Sequence, residues 1–110
     1  MVHLHVYAAN GVELVSIVVE KDSTVTLGRD GGSTILLAGP EISRTHARLT
    51  SRGTFCSFED TNSKAGLLLV DAQGASRKLK SGNLEVGQTL RIGTWSVRIR
   101  LGERPLSVVG

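Results

Sequence analysis

Turn-forming residues interrupt this chain so often that only short elements fit between them. Glycine fills 13 of the 110 positions and proline only two, so the glycines mark tight turns between ordered segments rather than a low-complexity linker. The segments they bound are rich in Val, Ile, Leu and Thr, as strands are. Val2-His3-Leu4-His5-Val6-Tyr7 alternates apolar and polar residues, the pattern of a strand with one face buried. Asn10-Gly11 is a hairpin signal, and Glu13 to Glu20 reads as the returning strand. Thr24 to Leu27 and Thr34 to Leu37 follow, separated by a loop at Asp30-Gly31-Gly32-Ser33. Further runs at Thr54–Phe58, Leu67–Val70, Arg77–Leu79, Thr89–Ile92 and Trp95–Leu101 are punctuated by Asp60-Thr61-Asn62-Ser63, Gly74, Gly82-Asn83, Gly87 and Gly93-Thr94. In the last run Trp95, Val97, Ile99 and Leu101 share one face, and Ser96, Arg98 and Arg100 the other. About nine or ten short strands with such spacing predict an all-β sandwich or barrel.

One segment resists that reading. Pro40 to Leu49 carries Ile42, His46 and Leu49 at helical spacing, and Pro40-Glu41 suits a helix start. Periodicity leaves a helix and a loop followed by a strand equally open there.

Length and composition set outer limits. A chain of 110 residues holds one compact core, and 40% apolar with 21% charged residues is ordinary for a globular fold. The net charge of +3 comes from arginine, nine against four lysines, and favours acidic partners in general. One Trp, one Tyr and two Phe give no stacking platform for bases, so no nucleic-acid partner is expected. No apolar run approaches the ~20 residues of a membrane span, and no Lys or Arg precedes Lys21, so the start lacks the basic region of a signal peptide. The expectation is a cytoplasmic protein without membrane insertion. Cys56 is a lone cysteine, which excludes an intrachain disulfide and reads as a half-buried strand residue. Glu103 to Gly110 reads as a tail or the start of a linker, as in a piece of a longer protein.

Enzymatic motifs are missing. The glycine-rich Gly28-Arg29-Asp30-Gly31-Gly32 fits neither the P-loop nor the dinucleotide-binding spacing, and no nucleophile elbow occurs. Ser43 and His46 lie close enough in sequence to raise a nucleophile–base pair, but their spacing alone says nothing about geometry. His3 and His5 share one strand face, yet two imidazoles without a third ligand make no metal site. Neither a cofactor nor a catalytic residue is expected.

Anion chemistry is better represented. Gly28-Arg29 follows a strand, Ser43-Arg44-Thr45-His46 lies in a later loop, and Asn62-Ser63-Lys64-Ala65-Gly66 in a third, after Asp60. Should the fold bring these loops to one end, two guanidiniums, an ammonium and one or two hydroxyls would converge, a donor set suited to a phosphate group. Should it not, they are solvated loop residues.

Taken together, Thr26-Leu27-Gly28-Arg29, Ile35-Leu36-Leu37, Ile42-Ser43-Arg44-Thr45-His46-Ala47-Arg48-Leu49, Asp60-Thr61-Asn62-Ser63-Lys64-Ala65-Gly66 and Leu84-Glu85-Val86-Gly87-Gln88-Thr89-Leu90-Arg91-Ile92-Gly93 resemble the forkhead-associated (FHA) domain over residues 2 to 101. The resemblance implies a sandwich of two antiparallel sheets with recognition loops at one end, and a protein-interaction module that binds phosphothreonine segments of partner proteins in signalling. It places Pro40 to Arg44 in a loop and His46 to Ser51 in a strand. It also implies that Arg29 and Ser43 bind phosphate, that Arg44 and Lys64 add positive charge, and that Gly28, His46, Ser63 and Gly66 shape the loops. One departure stands out: the family usually has Asn-Gly-Thr where this chain has Ala65-Gly66-Leu67. That asparagine grips the bound peptide's backbone, and losing its hydrogen bonds costs on the order of 1–3 kcal/mol. Asn62 is three residues away and is not expected to replace it. The departure leaves open a second reading, a phosphate-independent scaffold within a larger signalling or secretion assembly.

Overall fold

The computed structural model describes residues 1–61 and 63–102. Eleven strands form in the described chain: β1 (Val2–Tyr7), β2 (Glu13–Val19), β3 (Thr24–Gly28), β4 (Ile35–Leu36), β5 (Ala47–Ser51), β6 (Cys56–Asp60), β7 (Leu67–Val70), β8 (Ser76–Leu79), β9 (Ser81–Leu84), β10 (Thr89–Ile92) and β11 (Trp95–Leu101). They make two sheets, ordered β2-β1-β11-β10-β7-β8 and β4-β3-β5-β6-β9. The first is antiparallel throughout. The second is antiparallel except where β4 runs parallel to β3 over two residue pairs, Leu27 with Ile35 and Gly28 with Leu36.

The sandwich follows from the alternation of the strands. Val2, Leu4 and Val6 of β1 are fully buried, as are Leu90 and Ile92 of β10 and Val97 of β11. Leu67 of β7 joins them from the same sheet, and Leu27, Leu49, Phe58 and Leu84 complete the core from the other. Each fully buried side chain of this size contributes roughly 1.5–3 kcal/mol, so the core determines which face of every strand turns inward. Cys56 sits deeper than its sequence context implied, at 1% exposure, and burial pushes its thiol up to about 11.

Three sequence readings need correction. Gly82-Asn83, read as a turn, lies inside β9, where Gly82 pairs with Phe58. A Cβ on Gly82 would come within 2.9 Å of the Phe58 ring: the glycine makes room for the cross-strand aromatic, a known use of glycine in sheets. Leu101 shares the alternation of Val97 and Ile99 but lies at the end of the sandwich, half exposed. The strand expected from Thr54 begins at Cys56. In the ambiguous segment no helix forms. Gly39 adopts a φ of +137°, Ile42 drops its side chain into the core, and regular pairing starts at Ala47. Burial of Ile42 and His46 explains their apolar-like spacing without a helix, since both anchor a loop.

Strand directions decide where the loops go. β3 and β6 both end, and β5, β7 and β11 all begin, at the same end of the sandwich. The connections 29–34, 37–46, 61–66 and 93–94 therefore cluster there. Lys80 marks the corner where the backbone leaves the first sheet for the second, with the Asp60 amide donating to the Lys80 carbonyl at 2.7 Å. No helix among the described residues is long and apolar enough to cross a membrane.

Candidate functional site

The clustered loops are fastened to each other by backbone hydrogen bonds that need Gly28. The amide of Arg29 donates to the Ser43 carbonyl at 3.1 Å and that of Asp30 to the Arg44 carbonyl at 3.0 Å. This contact is so close that a Cβ on Gly28 would stand 2.2 Å from the Arg44 oxygen, well inside any allowed approach. The absence of a side chain here brings Arg29 beside Ser43 and Arg44.

His46 supplies the second fastening. It is completely buried. Its Nδ1 accepts the Ser43 amide at 3.1 Å, and its Nε2–H donates to the Gly66 carbonyl at 2.9 Å. These bonds fix the tautomer and tie the 37–46 loop to the 61–66 loop. They also dispose of a Ser43–His46 nucleophile–base pair, because the lone pair that a base would use is occupied by a backbone amide. The 61–66 loop is braced from within: Ser63 N–H donates to Asp60 Oδ1 at 2.8 Å and the Gly66 amide to Ser63 Oγ at 2.9 Å.

A cleft of about 470 Å³ results, lined by Arg29, Glu41, Ile42, Ser43, Arg44, Lys64 and Ala65 together with Pro40. Arg29 is held by a bond from its Nε to the Ile42 carbonyl at 3.0 Å. Both terminal guanidinium nitrogens are left without a carboxylate among the described residues, a fork ready for bidentate contact with an oxyanion. The Lys64 amide donates to Ser43 Oγ at 3.2 Å, so the hydroxyl keeps its own proton free to donate outward. All four of Arg29, Ser43, Arg44 and Lys64 thus border one cleft, with Gly28, His46, Ser63 and Gly66 behind it. Asn62 lies outside the described residues, as does the tail 103–110.

Sequence reasoning overlooked Glu41, using it only as a possible helix start. It lines the same cleft, and its carboxylate accepts the Thr94 hydroxyl at 3.1 Å. It is held below the usual carboxylate range, first by its own backbone amide and further by Thr94, against opposing desolvation. A negative charge on a residue that lines the cleft reduces the attraction for a phosphate. Nothing in the local pattern marks it, because the contact with Thr94 spans 53 positions.

The histidines of β1 do other work. His5 Nδ1 pairs with Glu13 of the neighbouring strand, with Ser16 Oγ beside it. His3 lies against Gly102, and its Nε2 is buried without a hydrogen-bond partner.

Comparison with known proteins agrees with this architecture. The FHA domain profile matches residues 25–93. No curated protein matches the chain. Among solved structures, the FHA domain of the CT664 protein from Chlamydia trachomatis is 24% identical with a TM-score of 0.76, the match covering 94% of this chain and 98% of that one. The FhaA FHA domain, complexed with the intracellular domain of Rv3910, is 19% identical with a TM-score of 0.73, over 91% of this chain and all of that one. Mycobacterium tuberculosis EmbR, in complex with a low affinity phosphopeptide, is 21% identical with a TM-score of 0.65, over 93% of this chain and 26% of that one. At these identities the structures share a fold with this chain, whereas the profile covers most of the sequence that builds the loop end. The chain belongs to the FHA domain family.

Proposed function

We propose that this FHA domain is a phosphothreonine-dependent protein–protein interaction module. It binds phosphorylated segments of a partner protein and acts in signalling in the cytoplasm. The observation that carries this reading is the convergence of Arg29, Ser43, Arg44 and Lys64 on one cleft. Phosphate enters between the free end of the Arg29 guanidinium and the Ser43 hydroxyl, and Arg44 and Lys64 add field. FHA domains are interaction modules rather than enzymes, and the geometry at Ser43 and His46 supplies no catalytic pair.

Charge-assisted bonds contribute roughly 1.5–3 kcal/mol each, so three or four hold a phosphopeptide at micromolar strength once ordering costs are met. Nitrogen-15 NMR titration with a degenerate phosphothreonine peptide pool tests the reading. Amides of residues 28–30, 42–46 and 63–66 should shift, and an unphosphorylated pool should shift none of them. Equal response to both pools refutes it.

Two residues support a second reading, a phosphate-independent scaffold. Ala65 brings no polar side-chain atom to the cleft, and Glu41, which also lines it, carries a negative charge. A well-folded domain that ignores every phosphopeptide, and gains binding on Ala65→Asn, would place this chain in that class.

A further inference from the structure

The outer face of the six-stranded sheet carries a charge distribution that the loop cleft does not use. Register places Lys78 of β8 beside Leu68 of β7, Leu68 beside Arg91 of β10, and Arg91 beside Ser96 of β11. Ser96 in turn adjoins Tyr7 of β1. The next outward positions on β11 are Arg98 and Arg100, opposite His5 and His3. Lys78, Arg91, Arg98 and Arg100 are all exposed, and none has a carboxylate partner among the described residues. Glu13, at the edge of this face, is engaged by His5. Asp71, at the far turn, accepts the amides of Gln73 and Ala75.

The opposite face of the sandwich provides an internal comparison. There Arg48 meets Glu59 at 3.9 Å and Arg52 meets Asp22 at 3.6 Å. One lateral surface neutralises its arginines and the other leaves a stripe of four cations. One of the four, Arg98, is also held in place. Arg98 Nε donates to Thr89 Oγ1 at 3.0 Å, and its guanidinium lies 5.8 Å from the centre of the Tyr7 ring, an arrangement that limits its rotamer freedom. Two shallow hollows flank Arg91. One, of about 330 Å³, includes Ala65, Gly66 and Lys78. The other, of about 300 Å³, includes Tyr7, Ser96 and Arg98.

We propose that this face is a second docking surface that takes an acidic, unphosphorylated segment of a protein partner, with its carboxylates on Arg91, Arg98, Arg100 and Lys78. Charge complementarity selects the occupant. Arginines free of partners and spaced across adjacent strands suit carboxylates carried on a flexible or extended chain. A nucleic acid is disfavoured because the face has one Phe, Tyr or Trp ring among the described residues, Tyr7, and Arg98 already sits against it. The first hollow touches Ala65 and Gly66 of the loop end, so an acidic segment next to a ligand in the loop cleft reaches the stripe without a long linker. Two weak sites joined in this way reinforce each other through effective concentration.

The test uses the chain as it stands and an oligoglutamate peptide, which lacks phosphate, at low ionic strength. NMR shifts should centre on β10, β11 and the start of β7. Arg91→Glu with Arg98→Glu should weaken binding roughly tenfold or more, the worth of two exposed ion pairs turned to repulsion. Arg29→Ala at the cleft and Arg48→Glu on the opposite face should each leave it within a factor of two, and all variants should melt like wild type. Retention of binding by Arg29→Ala separates this surface from the phosphate cleft, whatever the fate of the phosphothreonine reading. The proposal is overturned by no binding at low salt, by binding insensitive to the double charge reversal, by shifts centred on residues 29 and 43–46, or by preference for duplex DNA or anionic vesicles over oligoglutamate at equal salt.

Discussion

Replacing Gly28 with alanine tests whether the loop end is built by close backbone approach. The added methyl would lie 2.2 Å from the Arg44 oxygen and 2.9 Å from Thr45 Cα, where real Cβ contacts stay beyond 3.0 Å. The strand and the loop must therefore part by about 0.8 Å. That stretches the Arg29–Ser43 and Asp30–Arg44 backbone bonds, now 3.1 and 3.0 Å, beyond useful range. Two lost bonds cost about 0.5–1.5 kcal/mol each and the forced packing about 1–3 kcal/mol, so Gly28→Ala should destabilise by about 2–6 kcal/mol. For a domain of this size that lowers the melting temperature by roughly 10–25 °C. Gly31→Ala, in the same loop but with nothing within 4 Å of the added Cβ, should stay within about 0.5 kcal/mol of wild type. Calorimetric or circular-dichroism melting of the two variants decides the matter. A Gly28→Ala protein that melts with wild type and with Gly31→Ala refutes the close-approach account.

His46→Ala should cost about 3–5 kcal/mol by urea unfolding, because it leaves a cavity and strands the Ser43 amide and the Gly66 carbonyl inside; a loss under about 1 kcal/mol would show that His46 does not tie the loops. Ser43→Ala should cost less than about 1 kcal/mol of stability, since its Oγ accepts one exposed bond, yet weaken phosphopeptide binding roughly tenfold; equal affinity by fluorescence anisotropy would remove Ser43 from the site. Glu41→Gln should strengthen phosphopeptide binding severalfold, most at low salt, and unchanged or weaker binding would show that its carboxylate does not oppose the ligand. The Cys56 thiol titrates near 11 in the fold against 9.0 in the open chain, so the neutral form is favoured by folding: stability is full below about pH 9 and declines from there to about pH 11. Cys56→Ala should flatten that slope in pH-dependent urea melts, and an unaltered slope would contradict it.

How much of this was legible in the sequence depends on the range of the interaction concerned. Alternation in Val2–Tyr7 and Trp95–Leu101 showed the buried faces of β1 and β11, because burial repeats every second residue along a strand. Local turn chemistry misled at Gly82-Asn83, where a glycine serves the Phe58 ring across the sheet rather than a turn. Helical spacing at Ile42, His46 and Leu49 arose from two loop anchors and a core residue of β5 that happen to fall at that interval. The motif resemblance supplied the loop where periodicity could not. Glu41 stayed hidden because its partner, Thr94, is distant in sequence. The basic stripe of the outer sheet face was likewise invisible, since Lys78, Arg91, Arg98 and Arg100 come together only through the strand order β11-β10-β7-β8.

The central claim is that Arg29 and its neighbours bind phosphothreonine. Isothermal titration calorimetry of wild type and Arg29→Ala with phosphothreonine, phosphoserine and unphosphorylated versions of one degenerate peptide pool tests it most directly. The account predicts micromolar binding by wild type that requires the phosphate, favours threonine over serine, and is lost in a folded Arg29→Ala protein. Binding that ignores the phosphate, or survives unchanged without Arg29, would contradict it.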